Sequence, residues 1–488
     1  MGRDRWFAIS FWGCCALLVV PVWSVDYLPM VDLPQHAGQI GIWTRWSDPE
    51  FGYQDIYTRN WFTPYLFGYL VTYALTAFMS VNAALKTIIT LAVVGVPVAT
   101  SALLREVGGN RWWAFAVFPG VFGFAFDWGF YNFLVGVPIA IGALILALRY
   151  AENPSRRGGI WLGLLFLALF FVHALLFGYV ALIFGFTVLL KQDEWKTGLL
   201  TLLPALAVSP VVFAWLTVTR NSEAMTHWAT IWELPGQSPR LLRLLSEAAG
   251  DAVNAWTLVV GVLAFALPVL LGGRPSRSAK RWVPFSVTVV LFLLVPHEFL
   301  GTAFLYSRFA VFAIPTWLYA MEWDREAGIA RYRLTIGPAL AIACTVATTF
   351  QFRAYAGEVA GLAEVIAQIP ENSRVMSVPV FRSSRHVRTP VFLHTPVWYQ
   401  AERGGMVDFS FAINFPLLFR YKPETEPKVP HMLVWNHRLF DWDAFEADDY
   451  DYFVVRDYSK APSSILRQSN GSVQLLGRAG PWQLFGRP

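Results

Sequence analysis

The sequence is poor in charge. Asp, Glu, Lys and Arg make up only 15% of its 488 residues, whereas an ordinary soluble domain carries about 25%. Hydrophobic residues reach 56% and aromatic residues 16%. This balance excludes an ordinary soluble domain and indicates an integral membrane protein. The net charge of +5 does not indicate nucleic-acid binding, because the basic residues are spread among short loops and no nucleic-acid-binding motif is present.

Cysteine is also scarce. The three cysteines, Cys14, Cys15 and Cys344, all fall inside apolar segments, which excludes a disulfide framework and a thiolate metal site. A Gly-rich nucleotide-binding loop is missing as well. The chain therefore offers no signal for nucleotide chemistry or for cysteine chemistry.

Long apolar segments are plentiful. The first follows a basic flank, "MGRDR", and has no small-residue cleavage site after it. We expect an uncleaved signal anchor that starts in the cytoplasm and leaves the chain after Trp23 outside. Further apolar segments bring the expected number of transmembrane helices to about eleven. They cover residues 61–79, 81–104, 112–126, 133–150, 160–190, 198–216, 255–272, 282–296, 302–321 and 334–350.

Two topologies fit the middle of the chain. Simple counting puts the basic loops "REVGGNR" and "AENPSRRGG" outside and Asp127 inside, against the positive-inside rule. The alternative turns residues 160–190 into a helical hairpin near His173 and makes 61–104 cross an odd number of times. It places Asp127 and His173 on the same side as the loop 24–60. The charge bias of the short loops favours this second topology.

The last part of the chain, residues 352–488, is mixed and polar. The stretch "YAGEVAGLAEVIAQIP" has helical periodicity, "SRVMSVPVF" and "DYDYFVVRDY" are typical of strands, and "PWQLFGRP" would close a sheet. The predicted fold class is therefore mainly α. It consists of a polytopic membrane domain, 1–351, followed by a small extracytoplasmic α/β domain, 352–488.

The first loop carries the densest group of polar residues, in "VDYLPMVDLPQHAGQIGIW". One interpretation is structural: Asp32 caps a helix with Pro34 in its first turn, and apolar residues from Ile40 to Trp46 lie along the membrane surface. The other is catalytic, with Asp32 as a general base that takes a proton from a sugar hydroxyl. The two interpretations are compatible, because a cap would also hold the carboxylate in place.

The order of these parts resembles the GT-C superfamily of membrane glycosyltransferases, which take sugars from polyprenyl-phosphate carriers. Many members begin this loop with an acidic pair followed by His or Tyr, and "DLPQH" is similar to that motif, with Asp32 as the first acid and His36 as the polar residue. Leu33 stands where many members have the second acid, and Asp26 or Asp55 could supply it instead. Whether the protein uses a divalent cation therefore stays open, because one carboxylate and one imidazole do not identify a metal site.

Four further residues are candidates for substrate binding, and each has a plain structural alternative. Asp127 lies in an aromatic "FDWGFYNFLVG" turn, and the resemblance implies an acidic residue near the donor cavity here. His173 in "LFFVHALLFGY" is either a satisfied interior residue or a cavity residue. Arg308 in "RFAVFAIP" either extends to the interface or binds the carrier phosphate, as in similar family members with an Arg-aromatic pair before a proline. Arg220 belongs to a loop that includes His227 and either connects helices or contacts ligand.

These residues lead to one main hypothesis. The resemblance implies an inverting hexosyl- or pentosyltransferase with Asp32 as base and a polyprenyl-phosphate sugar as donor. The partners would be membrane lipids, the lipid-linked donor and a glycan, lipid or protein acceptor, with no nucleic acid. The alternative is a non-catalytic transporter or assembly protein for lipids or glycans. Arginine outnumbers lysine, as in GC-rich bacteria, so we expect a multi-pass protein of a bacterial inner membrane.

Overall fold

The computed structural model describes residues 2–191, 194–220, 230–234, 236–299, 302–323, 331–413, 417–459 and 461–487. Helices dominate this part of the chain. In the first half they are Gly2–Leu17 (α1), Val19–Trp23 (α2), Leu33–Thr44 (α3), Tyr53–Ile56 (α4), Leu66–Leu75 (α5), Val81–Glu106 (α6), Phe124–Asp127 (α7), Tyr131–Glu152 (α8), Arg156–Val172 (α9) and Ala174–Leu189 (α10). In the second half they are Trp195–Leu206 (α11), Ser209–Arg220 (α12), Arg240–Glu247 (α13), Ala255–Leu270 (α14), Ala279–Leu294 (α15), Ala310–Tyr319 (α16), Ile336–Val359 (α17), Gly361–Ala367 (α18) and Trp398–Arg403 (α19).

Two of the long apolar helices begin at serines whose side chains satisfy one of the first backbone N–H groups. Ser80 accepts from the N–H of Ala83 at the start of α6, and Ser155 accepts from that of Gly158 at the start of α9. By length and composition, four helices in the described residues could cross a membrane, or five if the bent pair α11 and α12 is one span. The other predicted segments form shorter elements, such as the twelve-residue 3-10 helix Arg111–Phe122.

The ends of these helices fall into two groups. Glu106 at the end of α6 pairs with Arg149 near the end of α8. Lys191, just after α10, pairs with Glu152 and donates to the carbonyl of Ala151. We call this the far end of the bundle. Because α9 starts beside Glu152 and α10 returns to it, these two helices form a hairpin, as the second topology expects.

His173 lies at the turn of that hairpin, at the opposite end of the bundle. Asp127 and Asp32 are there too, because the carbonyl of Asp127 accepts from the N–H of Val31 and the N–H of Asp32 donates to the carbonyl of Trp128. We call this the site end. The first loop, the α7 turn and the α9–α10 hairpin thus meet at one end, which is the arrangement expected of the second topology.

A five-stranded sheet lies in the C-terminal part of the chain. Its strands are Arg374–Pro379 (β4), Met406–Val407 (β5), Tyr452–Arg456 (β7), Gln474–Ala479 (β8) and Trp482–Gly486 (β9), in the order β5-β4-β7-β9-β8. β5, β4 and β7 are parallel, whereas β9 is antiparallel to β7 and β8. The strands expected in "SRVMSVPVF" and "DYDYFVVRDY" are present, and "PWQLFGRP" forms an inner strand rather than an edge. The domain boundary at 351/352 stays a prediction, since α17 runs through it.

Four short strands form two pairs outside this sheet. Tyr57–Arg59 (β1) in the first loop pairs with Phe419–Tyr421 (β6) of the C-terminal part, and Gly273–Pro275 (β2) pairs with Met321–Trp323 (β3). The β1–β6 pair joins the first loop to the C-terminal part through backbone hydrogen bonds. The two parts therefore form one continuous structure around α3.

Two glutamines one turn apart fasten α3 to the C-terminal part. Gln35 donates to the carbonyl of Phe409 at 3.3 Å and accepts from the N–H of Phe411 at 2.8 Å. Gln39 makes the same two bonds to the backbone of Phe419, at 3.3 and 2.8 Å. A primary amide that both donates and accepts satisfies two backbone groups that would otherwise be buried without partners. The face of α3 that carries the glutamines is thereby fixed against Phe409, Phe411 and Phe419.

The opposite contact of α3 depends on small residues. A Cβ at Gly41 would lie 2.7 Å from the Cα of Ala401 in α19, and a Cβ at Gly38 would lie 2.9 Å from the side chain of Gln400. As a result, every residue from Leu33 to Trp43 is buried. The expectation that Ile40 and its apolar neighbours lie along the membrane surface is wrong, because the C-terminal part covers them.

Candidate functional site

Asp32 occupies the N-cap position of α3, and a proline follows in the first turn. Its carboxyl group, however, makes no capping hydrogen bond. The backbone holds the residue instead: the N–H of Asp32 bonds to Trp128, and the next residue, Gly129, has φ +75° and lies too close to Asp32 for any Cβ. The predicted side-chain cap is therefore wrong, and the carboxyl group points to other neighbours.

One of these neighbours is His394, from the loop between β4 and α19. Its Nε2 lies 3.6 Å from Oδ1 of Asp32, which is an ion-pair distance and slightly longer than a hydrogen bond. The side chain of Asp32 is 17% exposed and that of His394 is 5% exposed. The pair is thus almost enclosed, with a small opening on the carboxylate side.

Burial raises the pKa of Asp32 to about 8, against the opposing effect of the positive charge on Arg308. The physical cause is that a carboxylate loses hydration in this pocket, which favours the neutral acid. A carboxyl group with a pKa near neutrality, next to a cation and open to solvent on one side, is suited to exchange a proton with a bound hydroxyl group.

Arg308 lies on the 3-10 helix Tyr306–Phe309 and is 9% exposed. Its guanidinium lies 3.6 Å from the centroid of the Phe130 ring, and Nη2 donates to the carbonyl of Ala303 at 3.2 Å. Among the described residues, its buried Nε has no hydrogen-bond partner. An arginine held flat on an aromatic ring, with donor capacity left over and a carboxyl group nearby, can bind an anionic ligand.

His36 lies one turn along α3 from Asp32. Its Nδ1 is 2.6 Å from the hydroxyl of Tyr69, and its ring packs near that of Tyr131. Burial, followed by the charge of Arg308, lowers the pKa of His36 to about 3. The imidazole is therefore neutral at physiological pH and can only donate or accept a hydrogen bond.

His173 and Asp127 lie at the same end of the bundle as this group. The ring of His173 packs on Tyr65 at 5.0 Å, and its Nδ1 accepts from the N–H of Leu175 at the start of α10. Asp127 is 6% exposed. Burial, and then the negative charge of Asp251, raise the pKa of Asp127 well above its usual range. The backbone of Asp127 thus lies next to Asp32, but the charge that raises the pKa of its carboxyl group is that of Asp251.

The remaining candidates are not part of this group. Asp26 and Asp55 are exposed, unlike Asp32, so neither completes an acidic pair with it. Arg220 ends α12, but its side chain lies outside the described residues, as does the segment 221–229 with His227. The described residues contain no group of three or more His, Cys, Asp and Glu side chains that could hold a metal ion.

A cavity of about 960 Å³ lies at the far end of the bundle, where Glu106, Arg149 and Lys280 contribute to its lining. None of the residues of the Asp32 group lines it. It is therefore separate from the site described here.

The sequence did not point to His394. It lies in "FLHTP", without a motif and far along the chain from Asp32. Its place depends on the long-range contacts of α3 with the C-terminal part. The only local signal was the spacing of Gln35 and Gln39, which are one helical turn apart and close to Asp32. Two amide side chains at that spacing can hydrogen-bond to the backbone of another segment.

No family model matches the chain, and no curated protein matches it in sequence. Among solved structures, the chain is similar to the crystal structure of ArnT from Cupriavidus metallidurans in the apo state, with a TM-score of 0.52. The match covers 99% of this chain and 98% of that chain at 9% sequence identity. The chain has the fold of this ArnT structure.

This result confirms the predicted fold class, a mainly α polytopic membrane protein. It also explains how a chain with only four or five long apolar helices in its described part belongs to that class, because the match extends over the short and bent helices as well. At 9% identity the likeness concerns the fold. The chemistry has to be argued from the residues of this chain.

Proposed function

We propose that this protein is a membrane glycosyltransferase that moves a sugar from a polyprenyl-phosphate carrier to an acceptor hydroxyl group. The observation that carries the proposal is that the Asp32 carboxyl group and the Arg308 guanidinium are both largely buried and close enough for the charge of Arg308 to act on the pKa of Asp32. A base and a phosphate-binding cation are the two groups that this reaction requires from the protein. The GT-C fold of the chain supports the same conclusion.

The reaction follows from these two groups. Asp32, as a carboxylate, removes the proton of the acceptor hydroxyl while the hydroxyl oxygen forms a bond to the anomeric carbon. The bond from that carbon to the carrier phosphate breaks, and its electron pair stays on the phosphate oxygen. Arg308 stabilises the charge that develops there. Attack opposite to the leaving phosphate inverts the anomeric centre.

The neighbouring imidazoles suit sugar hydroxyls better than phosphate. His36 is neutral and held by Tyr69, so it offers hydrogen bonds without charge. His173 and Asp127 frame the same end of the bundle, where they would border the donor sugar. We also propose that Arg220 contacts the lipid-linked donor. The reason is its position at the end of α12.

A divalent cation fits this group of residues poorly. The pocket offers one carboxylate, two histidines and an arginine, and the positive charge of Arg308 disfavours a cation beside Asp32. The mechanism therefore uses only the residues of the chain. By the reaction and the fold, we place the protein in a bacterial inner membrane, with the C-terminal part outside the cytoplasm and on the acceptor side.

The test is the release of polyprenyl phosphate from a panel of polyprenyl-phosphate hexoses and pentoses. Membranes with the normal protein are compared with Asp32→Asn membranes, with a cell-envelope extract as acceptor. Loss of a general base should lower the rate by about 10²- to 10⁴-fold. Asp26→Asn, an exposed acid of the same loop, is the matched control and should keep full activity. Full release by Asp32→Asn would refute its role as base.

A further inference from the structure

We propose that His394 is the proton partner of Asp32, and that Gln35 positions it by holding the backbone of residues 409–411. This proposal rests on the function proposed above and adds a requirement to it. The C-terminal part of the chain would complete the site, since the residue that takes the proton from the base comes from there. Four contacts lead from Gln35 to Asp32.

The first contact is the double hydrogen bond of Gln35 to Phe409 and Phe411. It fixes the short segment that follows β5. Both of its aromatic rings then contact His394: Phe409 stacks on the imidazole at 5.4 Å and 23°, and Phe411 meets it edge-on at 5.5 Å. The imidazole is thus clamped on two sides.

The clamped imidazole points one nitrogen at Asp32. Nε2 lies 3.6 Å from Oδ1, and the two side chains are 5% and 17% exposed. At this distance and burial, a proton on one of the two side chains changes the charge that the other one faces. A proton on His394 leaves Asp32 as the carboxylate, which is the form that acts as base.

The other charged and titratable groups around Asp32 cannot replace this interaction. His36 on the same helix is neutral and bonded to Tyr69. Arg308 is always charged, but burial still outweighs its effect on Asp32. The pKa values of His173 and Tyr65 respond to the charge of Arg308 and not to that of Asp32. His394 is the neighbour that can take up and give back a proton against the carboxylate.

The proton balance during transfer is simple. Before transfer the pair holds one proton, which passes from Asp32 to Nε2 of His394 and leaves Asp32 as the carboxylate. Asp32 receives the acceptor proton as the new glycosidic bond forms and the carrier phosphate leaves. The pair then holds two protons and loses one to water at the open side of Asp32, which restores the resting state. No oxidant, metal or further reactant is needed.

The test is pH-dependent labelling of purified full-length protein with a diazo compound, which esterifies a carboxyl group only when it is protonated. Mass spectrometry of the peptide that contains Asp32 gives the labelled fraction at each pH. In His394→Gln the midpoint should move up by about one pH unit, because a buried carboxylate loses its cationic partner. Gln35→Ala should move it in the same direction by less.

Gln39→Ala is the matched control, since Gln39 makes the same pair of hydrogen bonds to the backbone of Phe419. The ring of Phe419 does not contact His394. Its midpoint should stay that of the normal protein. An unchanged midpoint in His394→Gln would overturn the proposal, and equal shifts in Gln35→Ala and Gln39→Ala would overturn the positioning role. In the release assay, the pH profile of kcat/KM should move in parallel. If normal membranes release no polyprenyl phosphate, the proposed function fails, while labelling still decides whether the two side chains form a pair.

Discussion

Replacing Asp32 with Asn should stabilise the folded protein although it removes the proposed base. Burial raises the pKa of Asp32 from 3.8 to about 8, so the folded state keeps a proton that the unfolded chain releases. Below the unfolded pKa, such a group makes its full contribution to the free energy of unfolding. That contribution is lost as the pH rises through the folded pKa. Asn is neutral at every pH and has nearly the same shape, so it avoids the loss.

The size of the effect follows from the two pKa values. Between 3.8 and pH 7 there are about 3 pH units in which only the unfolded chain releases the proton. Each unit is worth 1.36 kcal/mol, which sets an upper limit of about 4 kcal/mol at pH 7. Because 17% of the Asp32 side chain is exposed and His394 shares the proton, we expect a gain of about 1–4 kcal/mol.

The assay is thermal unfolding of the detergent-solubilised protein between pH 5 and pH 8. The Tm of Asp32→Asn should exceed that of the normal protein, and the difference should grow with pH and level off near pH 8. Asp26→Asn, which alters an exposed acid of the same loop, should leave the Tm unchanged. A lower Tm for Asp32→Asn at pH 8, or a difference that does not depend on pH, would refute the claim that burial keeps this carboxyl group protonated.

Three further predictions concern the surroundings of Asp32. Arg308→Lys keeps the charge but loses the planar fork, so kcat/KM for the lipid-linked donor should fall about tenfold or more, and a change below twofold would contradict its role at the phosphate. Gly41→Ala places a Cβ 2.7 Å from the backbone of α19, so it should destabilise the fold by about 1–3 kcal/mol. Gly185→Ala, in a helix with open space around it, is its control and should not lower the Tm. Tyr69→Phe leaves the buried Nδ1 of His36 without its hydroxyl partner, which should cost about 1–3 kcal/mol in thermal unfolding, and an unchanged Tm would show that the bond contributes nothing.

The apolar runs alone determined the class of the protein, because segments with so few charges have to be buried in lipid or in other helices. The charge bias of the loops also favoured the topology in which the turn at His173 lies at the same end as Asp32. Two C-terminal strands followed from short runs of β-branched and apolar residues. Each of these is a local property, which neighbouring residues can specify without the rest of the chain.

The surroundings of α3 could not be read from the sequence. Its apolar residues indicated an interfacial helix, because a buried helix and an interfacial helix share the same pattern when the cover comes from a distant segment. Only the folded structure shows that Gln35 and Gln39 bind backbone groups of Phe409, Phe411 and Phe419. It also shows that Gly41 lets α19 approach. Because the C-terminal part covers α3, Asp32 is a buried acid and not the side-chain cap that the sequence indicated.

The sequence by itself thus determined a mainly α membrane protein with an acidic first loop, and it named Asp32 and Arg308 as chemically suitable residues. Tertiary structure decided that these two lie together, that Asp26 and Asp55 stay apart from them, and that His394 joins them. The physical reason is that ionisation and reactivity depend on burial and on charges a few ångströms away. Those distances are set by contacts between segments that are remote in the chain.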